Sequence, residues 1–250
     1  MMTKFAFIFP GQGSQFIGMG KDLADAFPEA RDVFDEVDAA LGQTLSELMW
    51  SGDEEQLKLT ANTQPALMAV SVAAMRALQS KGVDVQAAAF VAGHSLGEYS
   101  ALAASGAISV ADAARVLRIR GNAMQAAVPA GEGAMAALLG ADPDQAIKLC
   151  ELAQAEGGVC EIANDNSPGQ IVISGSKAAI EFAASKTADV GIKKAMMLPV
   201  SAPFHCSMMQ PAADAMMEAL AGIDIKAPVT PLVANVTAAP TSDPAEIRRQ

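Results

Sequence analysis

Between the Pro/Gly stretch "VPAGEG" and residue 200 the chain packs six predicted elements into about seventy residues, a density that few folds satisfy. "AMAALLG" reads as an apolar strand and residues 142–156 as a helix. "VCEIAND" reads as a strand that turns through "NSPG" into the strand "QIVISG". Residues 177–190 carry a helical pattern, and "KKAMMLPV" reads as a last strand. The order β-α-β-β-α-β is that of a ferredoxin-like unit. It predicts a small domain at 129–199 inserted into a larger domain formed by 1–128 and 200–250.

The flanking segments have a different rhythm. "KFAFIFP" is a short apolar run closed by Pro10, which predicts a buried strand feeding the loop "GQGSQFIGMG". That loop is no P-loop, because no GK[ST] closes it. Helical patterns dominate residues 22–78, with a restart marked by Asn62, Thr63 and Pro65, and a second buried strand is expected over 87–93. A helix follows over 110–127. After residue 200 come a loop entering a helix, the strand candidate "TPLVANV", and Asp243 poised to cap a helix that begins at Pro244. The expected class is α/β.

Composition narrows the function. A chain of 250 residues, 51% of them hydrophobic, buries roughly 70% of its unfolded surface and needs no staple. Three cysteines, without C-x-x-C spacing, predict free thiols in a reducing, cytoplasmic setting, so "NVT" at Asn235 is an unused glycosylation sequon. The five-residue apolar run before Pro10 is too short for a signal peptide, and no later run spans a bilayer. A net charge of −11 without basic runs argues against nucleic acid or an anionic membrane as partner. Two histidines, His94 and His205, in no metal-ligand spacing leave catalysis to side chains, with no metal.

The chemistry starts at Gly93-His94-Ser95-Leu96-Gly97, a G-x-S-x-G between a predicted strand and a predicted helix. Such a turn holds a serine Oγ clear of the backbone and turns the following N–H, that of Leu96, toward an oxyanion. Without chemistry, the same residues make a Gly-rich turn with an idle serine. A base is required, and His94, adjacent in a tight turn, projects away from Oγ and buttresses the elbow. His205, in "SAPFHC", is the candidate base; its alternative is a satisfied core histidine. Ala113, Leu117, Arg120 and Met124 fall on one helix face, whereas Arg115, Arg118, Asn122 and Gln125 fall on a face that can be solvated. An arginine on an apolar face cannot shed its charge, so Arg120 needs a substrate carboxylate, an internal ion pair, or a route to solvent. Gln12, beside Gly11 and Gly13 after the first strand, can supply a second oxyanion donor.

"FPGQGSQ", "GHSLGEYSAL", "RGNAMQ", "NDNSPGQIVISG" and "VSAPFHCSMM", in this order along nearly the whole chain, resemble the malonyl-CoA:acyl carrier protein transacylases of fatty-acid synthesis. The resemblance implies an α/β-hydrolase-like large domain with a parallel sheet and the ferredoxin-like insert. It implies Ser95 as acyl acceptor, His205 as general base, Gln12 and the Leu96 N–H as oxyanion hole, and Arg120 as holder of the malonyl carboxylate. Met124 and Phe204 are then expected in the substrate pocket, and Phe204, in "APFH", is the malonyl-preferring form of that motif. The implied reaction is ping-pong transfer of malonyl from coenzyme A to the phosphopantetheine thiol of acyl carrier protein, with no bound cofactor.

Other outcomes remain open at this level: a serine esterase or thioesterase, in which water takes the acyl group, or a truncated, non-catalytic module that binds a carrier protein. Family members continue for several dozen residues beyond Gln250, including a glutamine near the base, a role not assigned to Gln250. Lys177, Lys186, Lys193 and Lys194 are candidate contacts for an acidic partner, or ordinary solvated charge.

Overall fold

In the computed structural model, residues 4–200 and 202–250 are described; Ser201 of the "SAPFHC" motif lies outside them. The chain is a mixed α/β protein that divides into two compact units, Met1–Asn122 with Met216–Gln250, and Ala123–Ala215.

The first unit holds a four-stranded sheet. Strand β1 (Ala6–Phe9) pairs in parallel with β2 (Phe90–Gly93), and β2 in parallel with β7 (Leu232–Val233). The two-residue β8 (Pro240–Thr241) closes the order β1-β2-β7-β8 by an antiparallel pair. The parallel pairs put the carboxyl ends of β1 and β2 side by side, Phe9 opposite Gly93, with the loops that carry Gln12 and Ser95 following directly. The expected buried strand at 4–10 is only half buried. Successive side chains point to opposite faces, so Phe7 and Phe9 enter the core while Ile8 on this edge strand is 77% exposed.

The helical stretch expected over 22–78 is five helices: α1 (Lys21–Ala26), α2 (Pro28–Leu41), α3 (Leu45–Ser51), α4 (Glu54–Lys58) and α5 (Thr60–Ser80). Each break has a local cause. Pro28 opens α2, Gly42 ends it in the left-handed region at φ 63°, and the Asp53 carboxylate caps α4 by accepting from Glu55 N. The restart expected near Asn62 comes at Thr60, and Pro65 sits in the second turn of α5. Apolar and small residues run all round α5, as in a helix enclosed by others. Its buried Ala66, Leu67, Met68, Val72 and Met75 form the centre of the core with Val33, Phe34 and Val37 of α2. Helix α6 (Gly97–Ala104) follows the Ser95 turn and α7 (Val110–Ala126) follows it, passing from the first unit into the second.

The second unit reads β3 (Gly133–Ala141), α8 (Pro143–Ala155), β4 (Cys160–Ser167), β5 (Gly169–Ser176), α9 (Lys177–Ser185) and β6 (Lys194–Met197). All pairs are antiparallel, in the order β4-β5-β3-β6. Asp142 and Gln145 form a reciprocal capping box that fixes the start of α8. The predicted helix over 177–190 ends at Ser185 and continues as a 3-10 turn at Thr187–Val190.

Both faces of this sheet are covered, which explains why β3 reads as an unbroken apolar run. Ala134, Ala136 and Leu138 pack under α8 and α9, against Leu149, Ala153 and Ile180. The alternate residues Met135 and Ala137 pack with Val172 against Met124, Val128, Phe204 and Met209. This second cluster carries the compact unit beyond 129–199, to the end of α7 and into α10 (Gln210–Ala221). Helix α11 (Pro244–Arg249) starts where Asp243 accepts from Ala245 N. Among the described residues no helix is long and apolar enough to cross a membrane.

Candidate active site

The turn from β2 to α6 holds Ser95 in the left-handed region, at φ 51°. Non-glycine residues reach that region at a cost, and such strain concentrates at functional turns. A Cβ on Gly93 would lie 1.9 Å from the Gly97 carbonyl carbon, so only glycine lets the chain fold back so tightly. The elbow is closed by Gly97 N donating to His94 O at 2.9 Å and Glu98 N to Ser95 O at 3.1 Å. His94 N donates to Phe9 O at 3.0 Å, and its ring packs over Gly11, tying the elbow to the end of β1. Leu96, its side chain buried, stands at the cap of α6.

A residue outside the sequence motifs completes the elbow. Asn235 Oδ1 accepts from Ser95 N at 3.1 Å, while Asn235 Nδ2 donates to Gly93 O at 2.8 Å and to Glu98 Oε2. Glu98 also accepts from Asn235 N at 2.9 Å. Sequence reasoning met Asn235 only as the first residue of a sequon. The local signal for its role is its position just past the strand pattern "PLVA", at the end of a strand that pairs with β2.

Arg120 reaches the serine from α7. Its Nη2 donates to Ser95 Oγ at 3.1 Å and its Nη1 to Gln64 Oε1 at 2.7 Å. The Tyr99 ring lies beneath the guanidinium, with Cζ 5.8 Å from the ring centroid. Burial pushes the Arg120 pKa down, opposed by the nearby Tyr99 and Glu98, and burial pushes the Tyr99 phenol up. Among the described residues Arg120 forms no ion pair. The approach of α7 to α5 is set at Gly121, where a Cβ would stand 2.5 Å from Ala61 Cα.

Beyond Gln64 the bonds continue. Gln64 Nε2 donates to Thr60 Oγ1 at 3.0 Å, and Thr60 Oγ1 donates to Gln12 Oε1 at 2.8 Å. Gln64 and Thr60 are buried at 1% and 2% exposure, whereas Gln12 is exposed. Neither Gln64 nor Thr60 was singled out in the sequence. Arg118, expected on a solvated face, is instead partly buried, with Nη1 donating to Asn62 Oδ1 at 2.6 Å and burial lowering its pKa. It docks on α5 because α5 and α7 pack closely there.

Ser95, Leu96, Arg120 and Gln12 all belong to the first unit, and the hydrogen bonds above join Ser95, Arg120 and Gln12. Met124, Phe204 and His205 belong to the second. There Met124 and Phe204 share one buried cluster. His205 is partly buried and left-handed, at φ 60°. Its loop is held from both sides: Cys206 Sγ donates to Pro203 O at 3.1 Å, and Ser207 gives both N and Oγ to the Glu161 carboxylate of β4, each at 2.7 Å. Glu161 is a second residue that sequence reasoning missed. Burial pushes the Cys206 thiol up.

Lys177 and Lys186 are in ion pairs with Glu181 and Asp189, at 3.9 and 3.4 Å, and Lys193 and Lys194 are exposed. All three cysteines are free. Among the described residues no group of three or more His, Cys, Asp or Glu side chains is gathered as a metal ion would require.

The site thus holds a strained serine between a parallel strand and a helix, with an arginine on its Oγ, and residues 6–247 match the acyl transferase domain family. The chain belongs to that family. It is 51% identical over 235 residues to the malonyl CoA-acyl carrier protein transacylase of Escherichia coli (strain K12), covering 94% of this chain and 75% of that protein. The solved acyl-carrier-protein S-malonyltransferase of Bartonella henselae is 55% identical and superimposes with a TM-score of 0.95, covering 99% of this chain and 79% of the other. A type II PKS acyl-carrier protein in complex with its malonyl-transacylase contains a chain 44% identical to this one, with a TM-score of 0.93 over 99% of this chain and 79% of that one.

Proposed function

We propose that this chain transfers malonyl from coenzyme A to the phosphopantetheine thiol of acyl carrier protein, through a malonyl ester on Ser95. The names of its relatives support the substrate pair, and one observation carries the chemistry: Arg120 places Nη2 3.1 Å from Ser95 Oγ and has no ion-pair partner among the described residues. A malonyl group esterified to Oγ carries its free carboxylate three bonds further on, within reach of that guanidinium. A bidentate, charge-assisted pair would then orient the acyl group.

In the first half-reaction Ser95 Oγ bonds to the thioester carbonyl carbon as its proton passes to His205. The oxyanion settles at the Leu96 N–H and the Gln12 loop. As the C–S bond breaks, His205 returns the proton to the coenzyme A sulfur, a leaving thiol of pKa about 8.5. In the second, the carrier thiol attacks the ester carbonyl, its proton passes through His205, and Ser95 Oγ is released as the hydroxyl. Met124 and Phe204, which share one buried cluster, are the residues the resemblance assigns to the acyl pocket. The reaction uses no metal and no bound cofactor.

The unit Met1–Asn122 with Met216–Gln250 is read as the hydrolase-like large domain, and Ala123–Ala215 holds the ferredoxin-like insert. The antiparallel order β4-β5-β3-β6 with two helices on one face supports that reading of the insert. Lys193 and Lys194, exposed at and beside the start of β6, are available to an acidic carrier or serve as ordinary solvated charge. The setting is the cytoplasm, as free cysteines favour. The test is timed transfer from malonyl-CoA to carrier protein with hydrolysis followed in parallel: rapid transfer with slow hydrolysis is expected, and hydrolysis outpacing transfer would make the protein a thioesterase.

A further inference from the structure

The partner that α5 presents to Arg120 is a neutral amide, although the site is buried and Arg120 carries a full charge. Arginine has five donors and no acceptor, so the amide orientation is fixed. Oε1 of Gln64 faces Arg120 Nη1 at 2.7 Å, which turns Nε2 toward Thr60 Oγ1 at 3.0 Å. The Thr60 hydroxyl proton is then committed to Gln12 Oε1, at 2.8 Å. The chain of donors runs one way, from the guanidinium to the Gln12 loop, and Gln64 cannot turn over without placing an N–H against a cation.

We propose that Gln64 is a specificity-determining residue: it gives Arg120 an aimed but uncharged acceptor, so that the guanidinium's counter-ion must come from the substrate carboxylate. The proposal rests on the reading that Arg120 binds the malonyl carboxylate. A carboxylate at position 64 would fill the same space and accept from the same donors, yet neutralise Arg120 permanently. The substrate carboxylate would then have to displace an internal ion pair, whereas an acetyl group, which has no carboxylate, would be indifferent to the change. Gln64 thus separates two needs that a glutamate could not meet together, holding the fork still and leaving its charge available.

The experiment measures kcat and KM for acylation of Ser95 by malonyl-CoA and by acetyl-CoA, followed by intact-protein mass spectrometry, in wild type, Gln64→Glu, Gln64→Leu and Arg120→Ala. Gln64→Glu should lower the malonyl-to-acetyl ratio of kcat/KM by about 100-fold, the scale of one charge-assisted pair, with the loss in the malonyl KM. A ratio within about threefold of wild type, or equal losses for both substrates, would overturn the proposal. Should Gln64→Glu not fold, Gln64→Leu carries the test. It removes the acceptor without adding charge and frees the guanidinium to turn toward Glu98, whose charge already acts on it. It should lower the ratio by about tenfold through the malonyl KM, and an unchanged ratio would refute the proposal. Arg120→Ala isolates the underlying reading. Equal losses for both substrates there would remove Arg120 from carboxylate binding, whereas a selective loss there with none in Gln64→Glu would refute only the role of Gln64.

Discussion

Asn235 Oδ1 accepts a hydrogen bond from Ser95 N at 3.1 Å, joining two residues 140 positions apart at the ends of adjacent parallel strands. The same amide donates to Gly93 O at 2.8 Å. The backbone on both sides of His94 is therefore held by one side chain, against a φ of 51° at Ser95 that the elbow would otherwise relax. Asn235→Ala is expected to lose about 1–2 kcal/mol, as for one or two exposed hydrogen bonds. It should also slow acylation of Ser95 more than it raises the malonyl-CoA KM. Chemical denaturation with steady-state kinetics checks both.

Gly93 bears on the same elbow through sterics rather than hydrogen bonding. An added Cβ would meet the Gly97 carbonyl carbon at 1.9 Å and its oxygen at 2.0 Å, both backbone atoms that cannot step aside. Gly93→Ala should therefore cost upward of about 3 kcal/mol, the upper end of overpacking, and abolish acylation. A variant with wild-type melting temperature and activity would show that the turn is looser than described.

In the second unit, Glu161 acts on the loop of His205. Its carboxylate takes both donors of Ser207 at 2.7 Å, two residues beyond a histidine held at φ 60°. Glu161→Ala releases that anchor and should lower kcat for malonyl transfer about tenfold with little change in KM, while Glu161→Gln, which retains one acceptor oxygen, recovers part of the loss. A fall in both rate and KM-defined affinity, without recovery in the glutamine variant, would indicate a purely architectural part.

Much of this was legible locally. Gly93-His94-Ser95-Leu96-Gly97 announces its turn because each requirement falls within five residues. The Asp243–Pro244 cap is equally short-range. The apolar spacing of Ala113, Leu117 and Met124 marks Arg120 as out of character with its face. What the sequence did not reveal depends on partners brought in by the fold. Gln64 meets Arg120 only because α5 and α7 close together at Gly121, Asn235 meets Ser95 only through strand pairing, and Glu161 meets Ser207 across 46 positions. The two-residue β8 is too short for alternation to register, whereas β7 falls within the apolar run "TPLVANV", and Ile8 is 77% exposed because alternation turns it to the face opposite Phe7 and Phe9.

Transfer by this route requires a malonyl ester at Ser95. The direct measurement is intact-protein mass spectrometry of wild type and Ser95→Ala after brief exposure to malonyl-CoA, with the site mapped by peptide sequencing. One malonyl adduct on the wild type, located on Ser95, absent from Ser95→Ala and discharged by carrier-protein thiol, is the expected result. A malonyl adduct that persists in Ser95→Ala would contradict the account.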